Sequence, residues 1–125
     1  MEIEINDIRT IEEIQNEFSG EYPYLNIEFL TGLGKKKGVA SKSDLFPRQR
    51  KLGSIRDNHV GGNVSLDGGK TVREVLDELE NKFGLRAQIF RKFGSMWIET
   101  GLTDHWSLSL QNSEGHEISE TFIKK

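Results

Sequence analysis

The chain contains no cysteine, only two prolines and no long apolar run. Without cysteine it cannot form disulfides, thiolate metal sites or a cysteine nucleophile. No stretch approaches the roughly 20 consecutive apolar residues that a membrane-spanning helix needs. The N-terminal sequence Met-Glu-Ile-Glu-Ile-Asn also lacks the basic start and apolar core of a signal peptide. These absences predict a small soluble protein with no membrane partner, and a cytoplasmic location is the default expectation.

What the chain does have is the length and apolar content of one domain. It has 125 residues, of which 34% are hydrophobic and 30% are charged. A chain of this length buries roughly two thirds of its unfolded surface, which is enough for an independent core. It contains no internal repeat and no low-complexity tract. We therefore expect one domain spanning residues 1–125.

The clearest local signal predicts a helix over residues 71–83. Thr71 and Glu74 have the spacing of a capping box, in which each side chain bonds the backbone amide of the other residue. An apolar stripe at helical spacing follows, made of Val72, Val75, Leu76, Leu79 and Phe83. Gly84 then suits the left-handed position that ends many helices.

A β-hairpin is predicted to follow this helix. Residues 85–91 alternate between apolar and polar side chains, which is the period of a half-buried strand. Gly94 can take the positive φ of a tight turn. Residues 95–100 would then return as the partner strand.

The N-terminal third predicts a helix at 6–19, begun by Asn6 or Asp7, and a strand at 24–30. Residues 31–62 contain six glycines and no sustained period, which indicates a long loop. Within it we expect a short helix near 41–46 and a turn near 50–55. The scattered apolar residues predict that part of this loop is packed against the body. A short strand is expected at 63–66.

The C-terminal region is ambiguous. Trp106, Leu108 and Leu110 alternate with polar residues, which favours a strand at 105–111, while Thr103 or Asp104 could instead cap a short helix. Taking the strand, residues 112–115 form a hairpin turn and 117–123 a last strand. The resulting fold class is α+β, with two helices packed on one face of a mostly antiparallel sheet, a long basic loop and a C-terminal β-meander.

The strongest signal for function is the segregation of charge. Residues 31–56 carry eight basic residues against the single acid Asp44, a local charge of +7, so the rest of this −3 chain carries −10. The eight are Lys35, Lys36, Lys37, Lys42, Arg48, Arg50, Lys51 and Arg56. Such a segment can attract a polyanion or an acidic partner. The structural alternative is that it neutralises the protein's own acidic helices.

A second cluster surrounds the turn between the two tryptophans, where Trp97, Asp104, His105 and Trp106 form a possible partner surface. Glu99, Asp104 and His105 could also supply acid–base chemistry. Adjacent residues in a strand point to opposite faces, however, so Asp104 and His105 would not readily share a proton.

Other sites are poorly supported by the sequence. The run from Gly32 to Gly38 matches neither a P-loop nor a dinucleotide-binding pattern, because Lys36 and Lys37 stand where those motifs need other residues. His59, His105 and His116 are too dispersed to suggest zinc. We predict no cofactor and no metal.

Three functions therefore stay open. The first is a non-enzymatic binding or adaptor module whose basic loop contacts an anionic partner, either an acidic protein or nucleic acid. The second is a small enzyme that uses the residues near the Trp-lined turn. The third is a structural protein that self-associates through an uncovered sheet face or edge.

Overall fold

The structure is a computed structural model that describes residues 1–31 and 44–123. Within these ranges the chain forms three α-helices and two antiparallel sheets, which confirms the α+β class. The strands are β1 (Glu2–Ile5), β2 (Leu25–Phe29), β3 (Gly62–Ser65), β4 (Ala87–Phe93) and β5 (Met96–Glu99). The helices are α1 (Ile11–Glu21), α2 (Val72–Phe83) and α3 (Leu108–Ile123). Among the described residues, no helix has both the length and the apolar character of a membrane span.

Helix α2 forms as the sequence predicts. The Thr71 hydroxyl accepts from the Glu74 amide at 3.1 Å, and the Glu74 carboxylate accepts from the Thr71 amide at 2.8 Å. Both bonds lower the pKa of Glu74, and the bond from the Thr71 backbone amide has the larger effect. Gly84 ends the helix with a φ of 68°. The cap, the stripe and the stop all agree, so local and tertiary preferences favour the same helix.

The three-stranded sheet has the order β2-β4-β5, and β1 pairs with β3 in a separate two-stranded sheet. The register places Ile27 opposite Ile89 and Asn26 opposite Phe90. Since side chains alternate along a strand, Ile27 and Ile89 share one face of the sheet, and Asn26 and Phe90 share the other. The predicted hairpin is confirmed, with Gly94 at a φ of 65° in its turn.

The covered face of this sheet meets all three helices in one hydrophobic cluster. Its strand residues include Leu25, Ile27, Phe29 and Ile89, all buried. They pack with the apolar stripes of α1 and α2 and with Leu108 at the start of α3. The core therefore lies on one side of the sheet only, as far as the described residues extend.

The N-terminus departs from its prediction. Residues 2–5 are a strand, and α1 begins at Ile11 instead of residue 6. The start is set by Thr10, which forms a capping box with Glu13. Asn6 instead closes the preceding turn, where its side-chain oxygen accepts from the amides of Ile8 and Arg9 at 3.1 Å.

The C-terminal strands predicted at 105–111 and 117–123 are wrong, because this region is α3. Between residues 108 and 121, where burial is described, the inward positions of α3 are Leu108, Gln111, Gly115 and Ser119, which share one helical face and include one apolar side chain, Leu108. Leu110 gave the alternating pattern, yet it lies 43% exposed. The alternative prediction of a helix is confirmed, but its start and length differ: the helix runs from Leu108 to Ile123, and Ser107, in place of Thr103 or Asp104, caps its first turn by accepting from the Leu110 amide. The C-terminal meander is thus reduced to the β4–β5 hairpin.

The described part of the long loop is fixed to the body, as predicted from its scattered apolar residues. Leu52 is fully buried, and Phe46 and Ile55 pack against the core. A short 3₁₀ turn at Leu52–Ser54 lies inside the predicted turn at 50–55. Half of the short helix predicted at 41–46 lies outside the described residues, and within the described half Leu45 pairs with Leu30 beyond the end of β2.

Candidate binding surface

The basic segment reaches the body at the start of α1. The carbonyl of Arg50 accepts from the Ile11 amide at 3.0 Å, and the carbonyl of Arg48 accepts from the Glu12 amide at 2.9 Å. The first amides of a helix have no hydrogen-bond partner within the helix. These two bonds therefore satisfy the first amides of α1 and also attach the basic segment to the helix. The segment from Arg48 to Lys51, here called the basic turn, is exposed along its length.

The arginines of the basic turn have different local partners. The Arg48 guanidinium lies 3.9 Å from a Glu12 carboxylate oxygen, with both side chains at least half exposed. Exposed pairs of this kind contribute about 0–1 kcal/mol, so Arg48 can change partner at little cost. Arg50 bonds the hydroxyl and carbonyl of Ser54 at 3.0 and 2.8 Å and stacks 5.3 Å from the Phe46 ring centroid. Its charge is thus held in a fixed position by neutral groups.

Arg56 differs from the other basic residues because it is structural. Its side chain is fully buried, and its guanidinium donates to Asp7 at 2.8 Å, to the Val60 carbonyl at 2.8 Å and to the Phe83 carbonyl at 2.9 Å. The Arg56 bond, followed by that from His59, lowers the pKa of Asp7. Arg56 therefore joins the β1–α1 turn to the end of α2 and is not accessible to a large partner.

The remaining four predicted contact residues, Lys35, Lys36, Lys37 and Lys42, lie outside the described residues, as does the glycine-rich run from Gly32 to Gly38. Their flanking residues are in place: the Thr31 amide donates to the Asp44 carbonyl at 2.7 Å. This bond joins the two ends of the undescribed segment beyond the end of β2.

The Trp-lined turn does not gather its polar residues around a common point. Asp104 accepts from the Arg73 guanidinium on α2, an interaction that raises the pKa of Arg73. Glu99 lies opposite Phe90, on the sheet face away from the helices. His105 is exposed. Asp104 is thus bonded to a helix of the covered side, whereas Glu99 lies on the opposite face of the sheet.

The two tryptophans of this turn also separate. The centre of the Trp97 ring lies 6.0 Å from the Lys92 ammonium, and the centre of the Trp106 ring lies 5.4 Å from the Arg91 guanidinium. Lys92 and Arg91 are adjacent in β4 and so point to opposite faces. Trp97 is 43% exposed, while Trp106 is partly buried at the helix-covered side. The predicted four-residue partner surface is therefore divided, with Trp97 on a different face from Trp106.

The sheet face opposite the helices is a surface that sequence reasoning missed. We call it the open face; it carries Asn26 and Glu28 from β2, Gln88, Phe90 and Lys92 from β4, and Trp97 and Glu99 from β5. No helix in the described ranges packs on it. Alternation in β2 and β4 could have indicated its residues, but their juxtaposition depends on the pairing register, which the sequence does not specify.

A cavity of about 510 Å³ adjoins the open face at the outer edge of β2. We call it the edge cavity; it is lined by Gln15 of α1, Asn26 and Glu28 of β2, and residues 45–49. Gln15 is almost fully buried and donates to the Ile27 carbonyl at 2.8 Å and to the Glu28 carboxylate at 3.0 Å. The edge cavity therefore connects the basic turn, through Arg48, with the open face, through Asn26 and Glu28.

The described residues contain no group of three or more histidine, cysteine, aspartate or glutamate side chains placed to hold a metal ion. No protein family model, curated protein or solved structure matches this chain.

Proposed function

We propose that the protein is a non-enzymatic binding module whose basic segment, residues 31–56, contacts an anionic partner, either an acidic protein or nucleic acid. The observation that carries the proposal is the basic turn, whose backbone is hydrogen-bonded to the start of α1 while its side chains remain exposed. A fixed backbone lowers the entropy that the protein loses when it binds a partner.

The charge of the segment adds to this argument. Seven of its eight basic residues remain candidates once the buried Arg56 is set aside, and they lie in a chain that is acidic overall. Overall acidity disfavours indiscriminate attraction to polyanions, so binding has to use the one basic region. Arg48 supports it further because its exposed pair with Glu12 is easily exchanged for a stronger anionic partner.

The other two functions have weaker support. An enzyme at the Trp-lined turn would need Glu99, Asp104 and His105 to meet, whereas Asp104 is bonded to Arg73 on the far side of the sheet. Self-association through β5 is compatible with its place at the edge of the sheet. No charge or cavity in the described part of the chain favours a second copy over another partner.

The test is binding of three polyanions, namely heparin, poly-L-glutamate and single-stranded DNA, at 50 and 200 mM salt. One triple variant changes Lys35, Lys36 and Lys37 to Gln, and another changes Arg48, Arg50 and Lys51 to Gln. The matched control changes Arg73, Lys82 and Arg86, three exposed basic residues outside the segment, to Gln. We expect salt-sensitive binding of at least one polyanion that both segment variants weaken and the control preserves. Equal loss in all three variants, or no binding of any polyanion, would refute the proposal.

A further inference from the structure

We infer that the edge cavity and the open face together bind single-stranded nucleic acid, with one base entering the cavity and a neighbouring base stacking on the open face. This inference rests on the proposed function, because the basic segment supplies the attraction for phosphate. It goes further by selecting nucleic acid over an acidic protein and by assigning the residues that would contact the bases.

The edge cavity has the chemistry of a base-binding site. Its volume of about 510 Å³ lies within the range of about 300–1,000 Å³ that small-molecule sites occupy. The lining combines the Phe46 ring, the amide groups of Asn26 and Gln49, and the Glu28 carboxylate, while both side-chain N–H groups of Gln15 already donate to Ile27 and Glu28. Amides offer both donors and acceptors, which suits the hydrogen-bonding edge of a planar heterocycle.

Glu28 distinguishes between the two classes of anionic partner. Its carboxylate accepts from Gln15 at 3.0 Å and, through the other oxygen, from Asn26 at 3.4 Å. Each oxygen has further lone pairs for a ligand donor. The carboxylates of an acidic protein can only accept hydrogen bonds, so Glu28 would repel them. The exocyclic amino group of cytosine or adenine can donate to it, and carboxylates accept from the cytosine amino group in known recognition modes.

The open face supplies the stacking surface beside the cavity. Trp97, opposite Lys92, is the exposed ring of this face, and Phe90, opposite the cavity-lining Asn26, is partly buried. Bases stack on exposed aromatic rings, and single-strand-binding proteins combine such rings with nearby cations. Here Lys92 lies beside Trp97 and Arg48 lies at the cavity wall, so cations are present at both ends of the path. The basic segment contributes few aromatic residues itself, and the adjoining sheet supplies what it lacks.

The experiment is fluorescence anisotropy with labelled ten-nucleotide strands of dC, dT and rC, with heparin and poly-L-glutamate as competitors. We expect dC to bind several-fold more tightly than dT, because thymine has no exocyclic amino group to donate to Glu28. The dC and rC strands carry the same base, so the tighter of the two shows whether the protein prefers DNA or RNA.

Three variants test the assigned contacts. Trp97→Thr keeps a residue suited to a strand and should weaken dC binding about tenfold through lost stacking, while Trp97→Phe should restore much of it. Glu28→Gln keeps the size of the side chain and should remove the difference between dC and dT. Arg48→Gln should weaken all strands alike, because phosphate contacts carry no base preference.

Matched controls lie on the other side of the molecule. Leu110→Ala changes a side chain on α3 that is 43% exposed, the same fraction as Trp97. Arg73→Gln removes a cation whose side chain is 54% exposed, against 56% for Arg48. Both controls should bind dC like the unchanged protein, and thermal unfolding of every variant verifies that it is folded.

The possible outcomes separate this inference from the proposal beneath it. If heparin or poly-L-glutamate binds through the basic segment while Trp97→Thr and Glu28→Gln leave strand binding unchanged, the nucleic-acid site is refuted and the binding module stands. If the unchanged protein binds the dT strand as tightly as the dC strand, the role given to Glu28 is refuted. If no polyanion binds at all, both proposals fail.

Discussion

The two faces of the three-stranded sheet are made by alternate residues of the same strands, yet their chemistry is opposite. The covered face presents Leu25, Ile27, Phe29 and Ile89, and all three helices pack against it. The open face presents amides, two carboxylates, a lysine and two aromatic rings, with no helix over it in the described ranges. Of the two rings, Trp97 is 43% exposed and Phe90 is partly buried, so packing accounts least for the placement of Trp97.

The sharpest test of this comparison uses adjacent residues of β4. Ile89→Ala removes a fully buried side chain from the covered face and should lower the free energy of unfolding by about 2–5 kcal/mol. Phe90→Thr, one residue later on the open face, should cost about 1 kcal/mol or less because it keeps strand propensity and opens no cavity in the core. Urea denaturation measures both. Equal costs would show that the open face is packed like the covered one.

The second test separates structural from available positive charge. Arg56→Gln removes buried hydrogen bonds to Asp7, Val60 and Phe83, and should lower the free energy of unfolding by about 1.5–3 kcal/mol. Arg48→Gln, on the exposed basic turn, should change it by less than about 0.5 kcal/mol. Urea titrations measure both free energies of unfolding. Similar losses for the two substitutions would contradict the distinction between a structural Arg56 and an available Arg48.

The same two variants should also differ in how their stability depends on pH in the acid range. The pKa of Asp7 is lowered in the folded protein, first by its bond from Arg56. A carboxyl group with a lowered folded pKa stabilises the protein above its unfolded pKa, near 3.9, and this contribution is lost as pH falls through the lowered value. Unfolding measured from pH 6 down to pH 2 should therefore show a weaker acid dependence in Arg56→Gln than in Arg48→Gln. An unchanged acid limb in Arg56→Gln would rule out the assigned contact.

A third test examines how α3 closes the covered face. A Cβ atom at Gly115 would lie 2.9 Å from the Tyr24 Cβ and 3.0 Å from the Arg91 Cγ, so Gly115→Ala should destabilise the protein by about 1–3 kcal/mol despite alanine's higher helix propensity. Gly20 in α1 has no atom within 4 Å of the corresponding position. Gly20→Ala should therefore stabilise by about 0.5–1 kcal/mol. Thermal unfolding compares the two, and stabilisation by both would mean that α3 packs less closely than described.

The contrast between α2 and α3 explains which parts of the fold could be predicted from the sequence. In α2 the apolar stripe, the Thr71 cap and the Gly84 stop all indicate one structure. In α3 the buried side chains between residues 108 and 121 are mostly small or polar, and Gln111 is held by bonds from Arg91 and to Thr103. Hydrophobic periodicity cannot reveal a helix whose buried face makes polar contacts.

The candidate site divides in the same way. The basic composition of residues 31–56 could be read directly, but the burial of Arg56 could not, because its partners come from positions 7, 60 and 83. The edge cavity joins residues from α1, β2 and the loop, which lie far apart in sequence. Sites assembled from several elements depend on register and packing, and these are properties of the folded chain.

The most direct test of the account is a ¹H–¹⁵N NMR titration of the protein with the ten-nucleotide dC strand. We predict saturable shifts of the Asn26, Glu28, Arg48, Phe90 and Trp97 amides and of the Trp97 indole N–H, with the amides of α2 unchanged. Shifts confined to the α3 side, or no shift at concentrations that saturate heparin binding, would contradict the assignment of the open face and the edge cavity as a nucleic-acid site.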